Sequence, residues 1–508
     1  MTRMKNLAEL FSRLPGQVLR KNPFGGDCLP TRVPLLFQSG RSTFPFPHFW
    51  NYRRPIEILD TYFLHADEQE GSARHNRYLS VLGFPPVLVT RDPAIIRDIL
   101  TSTGEREDQF DRDTLPSSGI ARATGDDTLL FGNGAMWKRQ RKVSASPFGK
   151  TSLFQVDVCL EFEETFRRAA RERMSALRQH LNETGTKTVT LALESEIKVV
   201  MLQMLTECFF GTRIDPQELR EVYVPTIERV IDHIMRDTVV NRIGIPRAVL
   251  SRLIPSYAKA AKDIERFEEL VYRVLEARNS DRGLWKKFKS DAPDSALASN
   301  IRVFLAGALE ATTSFATWAI SHLARNQDWQ QKVFDELTFV DDFTPDQLNS
   351  ATHLNAVLEE TLRLTPSLYF LPRKATAETT VQTSDGRKMV IPRSTHILLD
   401  VWHANRHPDH WGEATTGYPA DQFHPDRWLE LAERKGVSKD FLHFGFGHGS
   451  RVCPGKHLGQ LEVALVVGAL VKLFQFEAVN AENKVKAGVS TKPDDGALLT
   501  LKLRDDQR

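Results

Sequence analysis

Apolar residues recur every three or four positions along most of the chain, so helical signals dominate. Leu354 to Leu364 has this spacing and is closed by Pro366, and Leu458 to Leu473 is a second apolar, helix-like run. Asp157 to Leu191 is amphipathic, with Arg167, Arg168, Arg171 and Arg173 as its solvated face. Pro216 to Asp237 and Tyr257 to Arg278 predict long helices, separated by an apolar stretch, Val239 to Ile254, that Gly244 and Pro246 interrupt. Strand-like segments are fewer: Tyr78 to Val89, Lys388 to Ile391, Thr395 to Val401 and Leu498 to Leu503. The expectation is a mainly α fold with a small β portion, one large domain over residues 1–508 with an N-terminal extension at 1–45.

Two segments bear on membranes. Val303 to Ser321 holds a single charge, Glu310, and at ~20 residues is just long enough to span a bilayer. Arg302 and His322 flank it tightly, and a central carboxylate would cost roughly 2.5–3.5 kcal/mol on insertion, so it is expected to cross a protein core. Met1 to Arg20 has no apolar run of spanning length. Leu7, Leu10, Phe11 and Leu14 fall at helical spacing among Arg3, Lys5, Arg13, Arg20 and Lys21, with one acid, Glu9. This basic amphipathic segment reads as a surface helix, a peripheral membrane contact or a cleaved presequence. The first reading is preferred and places the protein in the cytoplasm, without a transmembrane anchor.

Composition changes the picture little. Of 508 residues, 41% are hydrophobic and 26% charged, enough for a large core. A net charge of +2 gives no support for a nucleic-acid partner. Cys28, Cys159, Cys208 and Cys453 are widely spaced, which argues against a disulfide scaffold or a structural zinc site and for a reducing compartment. His403, His407 and His410 have metal-like spacing, but Pro408 interrupts any helix that would align them, and they read as a polar loop.

The strongest chemical statement is Phe446-Gly447-His448-Gly449-Ser450-Arg451-Val452-Cys453-Pro454-Gly455. Glycines permit a tight turn and close approach of backbone to a flat ligand. Backbone N–H groups and a helix N-terminus aimed at a sulfur favour its thiolate. The stretch resembles the cysteine-ligand loop of the cytochrome P450 family, the haem-thiolate monooxygenases. Phe446, Gly449, Arg451, Cys453 and Gly455 fill every specified position of that family's Phe-x-x-Gly-x-Arg-x-Cys-x-Gly pattern.

Four further segments bear on the resemblance. Glu360-Thr361-Leu362-Arg363 and Phe423-His424-Pro425-Asp426-Arg427-Trp428 resemble the Glu-x-x-Arg pair and the Phe-x-Pro-x-Arg segment that together brace the cysteine loop. A buried cluster of two arginines and one carboxylate carries net charge and needs further acceptors, for which backbone carbonyls are the expected source. Trp137 and Arg141 match the family's Trp-x-x-x-Arg helix. By resemblance Trp137, Arg141, Arg373 and Arg451 receive the two haem propionates. The fourth segment departs from the family pattern, an acid followed directly by threonine: Ala306-Gly307-Ala308-Leu309-Glu310-Ala311-Thr312-Thr313-Ser314. Anchoring on Trp318 puts Glu310 at the acid position. Anchoring on the threonine pair makes Thr312 the usual threonine. The first register is preferred, and both residues are candidate proton-relay groups.

The resemblance implies haem b ligated through iron by Cys453, O2 as co-substrate, and NAD(P)H acting indirectly through a separate ferredoxin or flavin reductase. It implies a monomer acting on a lipophilic small molecule, with Lys138, Arg139, Lys142 and Lys456 near the face where an acidic electron donor would dock. Desaturase, isomerase or peroxygenase chemistry, or haem-based sensing, are the alternatives. Phe304, Ala308, Leu309, Leu368, Tyr369, Phe370 and Leu371 are expected around an apolar substrate cavity.

Overall fold

The computed structural model describes residues 22–32, 56–57, 60, 63, 74–79, 85–104, 109–113, 128–240, 245–277, 283–287, 294–340, 342–433 and 443–504. The amphipathic segment expected at 1–21 lies outside these.

Helices dominate, as the apolar spacing predicts. The longest, Asp294–Arg325, runs through the main hydrophobic core, where Ile301, Leu305, Ala316, Ala319, Ile320 and Leu323 are fully enclosed. By length and composition Leu297–Arg325 could cross a membrane, but 67% of its most apolar window is buried inside the protein. It packs against helices Glu194–Met204, Pro255–Ala277, Thr352–Leu364 and Lys456–Leu473. Thr352–Leu364 extends the expected 354–364 helix by two residues. Lys456–Leu473 does the same for the 458–473 helix.

The six-stranded sheet collects β2 (Thr31–Arg32), β3 (Asn76–Leu79), β4 (Val87–Thr90), β10 (His396–Asp400), β7 (Phe370–Ala375) and β5 (Phe110–Arg112), in that order. β10 runs parallel to β4 and antiparallel to β7. In β7 the side chains alternate, so Leu371, Arg373 and Ala375 all face inward. Register then sets Arg373 beside Ile397 on one strand and Arg112 on the other. A three-stranded sheet joins β1 (Gly25–Gly26), β9 (Lys388–Ile391) and β8 (Thr379–Gln382), and another joins β11 (Phe474–Ala478), β14 (Leu498–Leu503) and β6 (Thr188–Ala192). β12 (Val485–Ala487) and β13 (Thr491–Pro493) form a separate hairpin.

Two expectations are corrected here. The amphipathic 157–191 segment is not one helix: Val156–Thr184 ends at Gly185, whose φ of 63° is left-handed, and Thr188–Ala192 becomes β6 against β14. The run of threonine and valine there suits a pleated strand better than another helical turn. Tyr78 to Val89 is likewise not one strand, because Tyr78 pairs antiparallel with Leu88 across β3 and β4. The three histidines do not converge. His403 binds Asp400, His407 meets His75, and His410 packs on Trp411.

Candidate active site

The cysteine loop folds back on itself before entering helix Lys456–Leu473. Cys453 N–H donates to Phe446 O at 2.9 Å and Val452 N–H to Gly449 O at 3.1 Å. Gly449 has a φ of 71°, and a Cβ there would stand 2.5 Å from the Leu100 carbonyl oxygen, so only glycine fits. Phe446 meets Phe315 of the long helix edge-on at 6.4 Å. Burial raises the pKa of the Cys453 thiol; a Gly455 N–H bond and the charges of Arg141, Arg112 and Lys456 oppose it without overcoming it. The donors act in the expected direction, toward the thiolate, and burial is the larger influence on the free thiol. The side chain nevertheless presents open surface, so a metal cation can approach and reverse that balance.

Three guanidiniums gather beside the loop. Arg373 is buried and donates from Nε to Thr103 Oγ1 at 3.1 Å. Arg451 lies 3.7 Å over the Trp137 ring and donates to Asn133 Oδ1 at 2.8 Å, while its Nε and Nη1 have no partner. Arg112, which sequence reasoning missed, reaches the cluster through β5–β7 pairing and donates to Leu130 O. Among the described residues none of the three has a carboxylate ion-pair partner. Burial pushes Arg112 down to about 10 and, with help from Arg112, Arg451 down to about 9. Arg373 is lowered strongly by burial and by both neighbours. Arg141, half-buried, is also lowered by burial, partly offset by Cys453.

Buried like charges beside orphaned donors are costly unless an anion joins them. The set fits a dianionic ligand seated between it and Cys453. Haem, with two propionates and an iron, has that chemistry.

The brace has the expected composition. Glu360, fully buried, accepts from Arg363 Nε and Nη2 at 2.8 Å each, from Arg427 Nε at 3.1 Å, from Trp428 Nε1 at 2.9 Å and from His424 N–H at 2.8 Å. The spare guanidinium protons go mainly to carbonyls: Arg363 to Asn405, Ala420 and Gln422, and Arg427 to Trp411 and Pro419. Asn405 carries the connection onward, its Oδ1 accepting from Phe444 N–H two residues before Phe446.

On the long helix, Glu310 and Thr312 are not brought together. Two residues apart, they face different sides. Glu310 accepts from Ser490 Oγ at 2.9 Å and Lys492 Nζ at 3.0 Å, at the β12–β13 hairpin. Thr312 donates its hydroxyl to Ala308 O at 2.7 Å, and its methyl points toward Gly459 of the helix that follows Cys453. Gly307 is the exposed position of this stretch, and a Cβ there would meet open space. Two expected cavity residues belong to the core instead: Phe304 packs on Phe148 and Trp285, and Leu309 is 1% exposed. Tyr369 is buried, its hydroxyl donating to Gly488 O.

Residues 75–499 match the family model described as Cytochrome P450. The chain belongs to the cytochrome P450 family. It is 22% identical to pluviatolide synthase of Sinopodophyllum hexandrum, over 79% of this chain and 78% of that protein. It is 24% identical to (S)-canadine synthase of Coptis japonica, over 78% and 77%. Cytochrome P450 78A7 of Arabidopsis thaliana is 26% identical, over 78% and 74%. The family is one of haem-dependent monooxygenases, and this P450 is an oxidoreductase of that kind. The cytoplasmic assignment is corrected by the same finding: these relatives are plant P450s, which are typically membrane-anchored.

Proposed function

We propose that the protein inserts one oxygen atom of O2 into a C–H bond or double bond of a lipophilic small molecule, with Cys453 as the residue that would hold the iron of haem b. The observation that carries this reading is the cluster of Arg112, Arg373 and Arg451, without a carboxylate ion-pair partner among the described residues, beside a cysteine that keeps one face open. Haem, when bound, supplies the activation of O2 at its iron. The chain's own residues do the rest. Arg112, Arg373, Arg451, Arg141 and the Trp137 indole would hold the propionates, while Phe446, Gly449 and Gly455 shape the cysteine loop. Glu310 holds a carboxylate on the long helix Asp294–Arg325, and Thr312 keeps its hydroxyl on the helix backbone.

Electrons come from NAD(P)H through a separate carrier. Lys138, Arg139 and Lys142 lie exposed on helix Gly134–Phe148, and Lys456 opens the helix after Cys453, a basic face suited to an acidic ferredoxin or flavin protein. Identities of 22–26% carry the family and not the relatives' substrates.

The test is the carbon-monoxide difference spectrum of the reduced holoprotein. Cys453→Ser and Cys453→Ala should abolish the thiolate-type band. An unchanged spectrum in either would remove the ligand assignment and the functional reading with it.

A further inference from the structure

Two imidazoles meet in a cluster that shares no residue with the cysteine site. His75, directly before β3, and His407, 332 residues further on, turn their Nε2 atoms toward each other at 3.0 Å. Their ring centroids are 4.3 Å apart. An Asp409 carboxylate completes the group: one ligand atom from each of the three lies within 4.8 Å of the others. Both histidines are held from the backbone. His75 O accepts from Arg91 N–H at 2.9 Å, and His407 N–H donates to Ala404 O at 3.2 Å while its own carbonyl accepts from Trp411 N–H at 2.7 Å. His407 is buried, His75 half-buried and Asp409 exposed, so the group opens to solvent on the Asp409 side.

Hydrogen bonds within the protein do not satisfy this pair. A neutral imidazole offers one N–H and one lone pair. His75 Nε2 accepts from Arg74 Nε at 2.8 Å, and the same nitrogen faces His407 Nε2. With its proton on Nε2, His407 competes with Arg74 for a single lone pair. With its proton on Nδ1, two lone pairs oppose each other, and the buried Nδ1 has no partner. A cation between the two Nε2 atoms takes both lone pairs at once and leaves only the Nδ1 proton unpaired. On a tetrahedral ion with metal–nitrogen bonds of ~2.0–2.1 Å, two ligand nitrogens stand about 3.3 Å apart, close to the 3.0 Å seen here. Arg74 Nη2 also reaches Asp409 Oδ2 at 3.0 Å, so a guanidinium already bridges one nitrogen and the carboxylate. With side chains 35% and 68% exposed, that ion pair contributes little and opens readily toward solvent.

We propose that His75, His407 and Asp409 form a binding site for a divalent metal ion of the zinc type, with Arg74 as the internal cation that the metal displaces. Two imidazoles and one carboxylate suit zinc and disfavour magnesium, which takes oxygen ligands. Water fills the remaining positions on the open side. The ion ties the start of β3 to the segment that supports the brace. Asn405, two residues before His407, accepts from Arg363 with its carbonyl and from Phe444 N–H with its Oδ1. Only the folded chain brings residues 75 and 407 together, so occupancy stabilises the fold and takes no part in the oxygenation.

The experiment uses the haem-loaded, full-length protein with any affinity tag removed, titrated by calorimetry with zinc and, separately, with magnesium. Zinc should bind one to one, magnesium should give no comparable heat, and the melting temperature should rise with zinc concentration. X-ray absorption of the one-to-one complex should show two imidazoles on the zinc. His75→Ala and His407→Ala should each weaken zinc binding by roughly tenfold or more, and Asp409→Asn by less. Arg74→Ala removes the competing cation and should tighten binding, which loss of a merely structural ion pair would not do. Unchanged zinc affinity in both histidine variants would place the metal elsewhere on the surface and overturn the proposal. Weaker binding in Arg74→Ala, or equal affinity for zinc and magnesium, would do the same. If His407→Ala does not fold, His75→Ala and Arg74→Ala decide.

Discussion

Replacing Arg112 by methionine should stabilise the haem-free protein and weaken the haem-loaded one. Arg112 is held at about 10, against an ordinary guanidinium value of 12.5, first by burial. That difference corresponds to an electrostatic burden on the order of 3 kcal/mol in the absence of an anion, reduced by whatever solvent reaches this intermediate position. Arg112 also depresses Arg373 and Arg451, so its removal relieves these two groups as well. With a propionate present the sign inverts: a hydrogen bond to a charged group contributes about 1.5–3 kcal/mol, and that is lost. The assay has two arms. Thermal melting of apoprotein should rise in Arg112→Met, and transfer of haem to an excess of a high-affinity acceptor protein should accelerate by roughly ten- to a hundredfold. Arg112→Lys, which keeps charge without the fork, should fall between. Equal rates of haem loss in wild type and Arg112→Met would refute the assignment. A fall in apoprotein melting would show that the Leu130 carbonyl bond outweighs the repulsion.

Other substitutions test other parts of the structure. Glu360→Ala strips two fully buried guanidiniums of their carboxylate and should cost about 3–5 kcal/mol, seen as poor haem incorporation; Arg363→Lys should recover less than half of the loss seen in Arg363→Ala, because one ammonium cannot reach both Glu360 and three carbonyls. Full haem loading and an unchanged melt in Glu360→Ala would exclude a bracing role. Glu462, buried with an unpartnered oxygen, has its pKa raised well above the ordinary value of 4.5 by burial. It is neutral when folded and ionises when unfolded, so its effect on stability is harmless below pH ~4.5 and worsens as pH rises toward the folded value. The melting advantage of Glu462→Gln should therefore grow from about pH 5 to pH 8, and a constant gap would contradict this. Glu310→Gln should lower product formed per NADPH more than Thr312→Ala, whose hydroxyl is already committed to Ala308 O; the reverse order would favour the other register.

What could be read from the sequence was what the chain keeps local. Cys453, Arg451 and the glycines lie within ten residues, and the pattern is fixed by one turn and one helix start. Trp137 and Arg141 share a helix face, and so do Glu360 and Arg363. Arg112 carries no local motif: only its pairing with Arg373, more than two hundred residues away, makes it part of the site. Asn133 is similar, since its meaning lies in binding Arg451 and the backbone of Arg112 together. Phe304 was misjudged because an apolar residue on a core helix has no sequence mark that separates cavity wall from packing. Phe148 and Trp285, from distant elements, decide it. The three-residue strands β5, β12 and β13 escaped notice because each is too brief for alternation to stand out, and β7, which sets the direction of Arg373, because Pro372 and the charged Arg373 and Lys374 mask its pattern.

The two charged assemblies of this molecule follow opposite rules, and the difference separates their tasks. Beside Cys453, burial and then Arg112 depress Arg373 and Arg451, Arg451 depresses Arg373 as well, and two nitrogens of Arg451 go without partners. Such a cluster is complete only with a permanent anion, which suits holding a cofactor in one place. Beyond Glu310 the signs alternate, and each charge from Lys492 to Lys198 lies between two opposite neighbours. There each buried charge is already compensated by its neighbours, so the row needs no added ion to complete it. A binding site gains from imbalance that a ligand corrects, whereas a structural row gains from balance. Substitutions at Arg112 and Lys492 should therefore fail differently, the first in haem retention and the second in thermal melting of the protein.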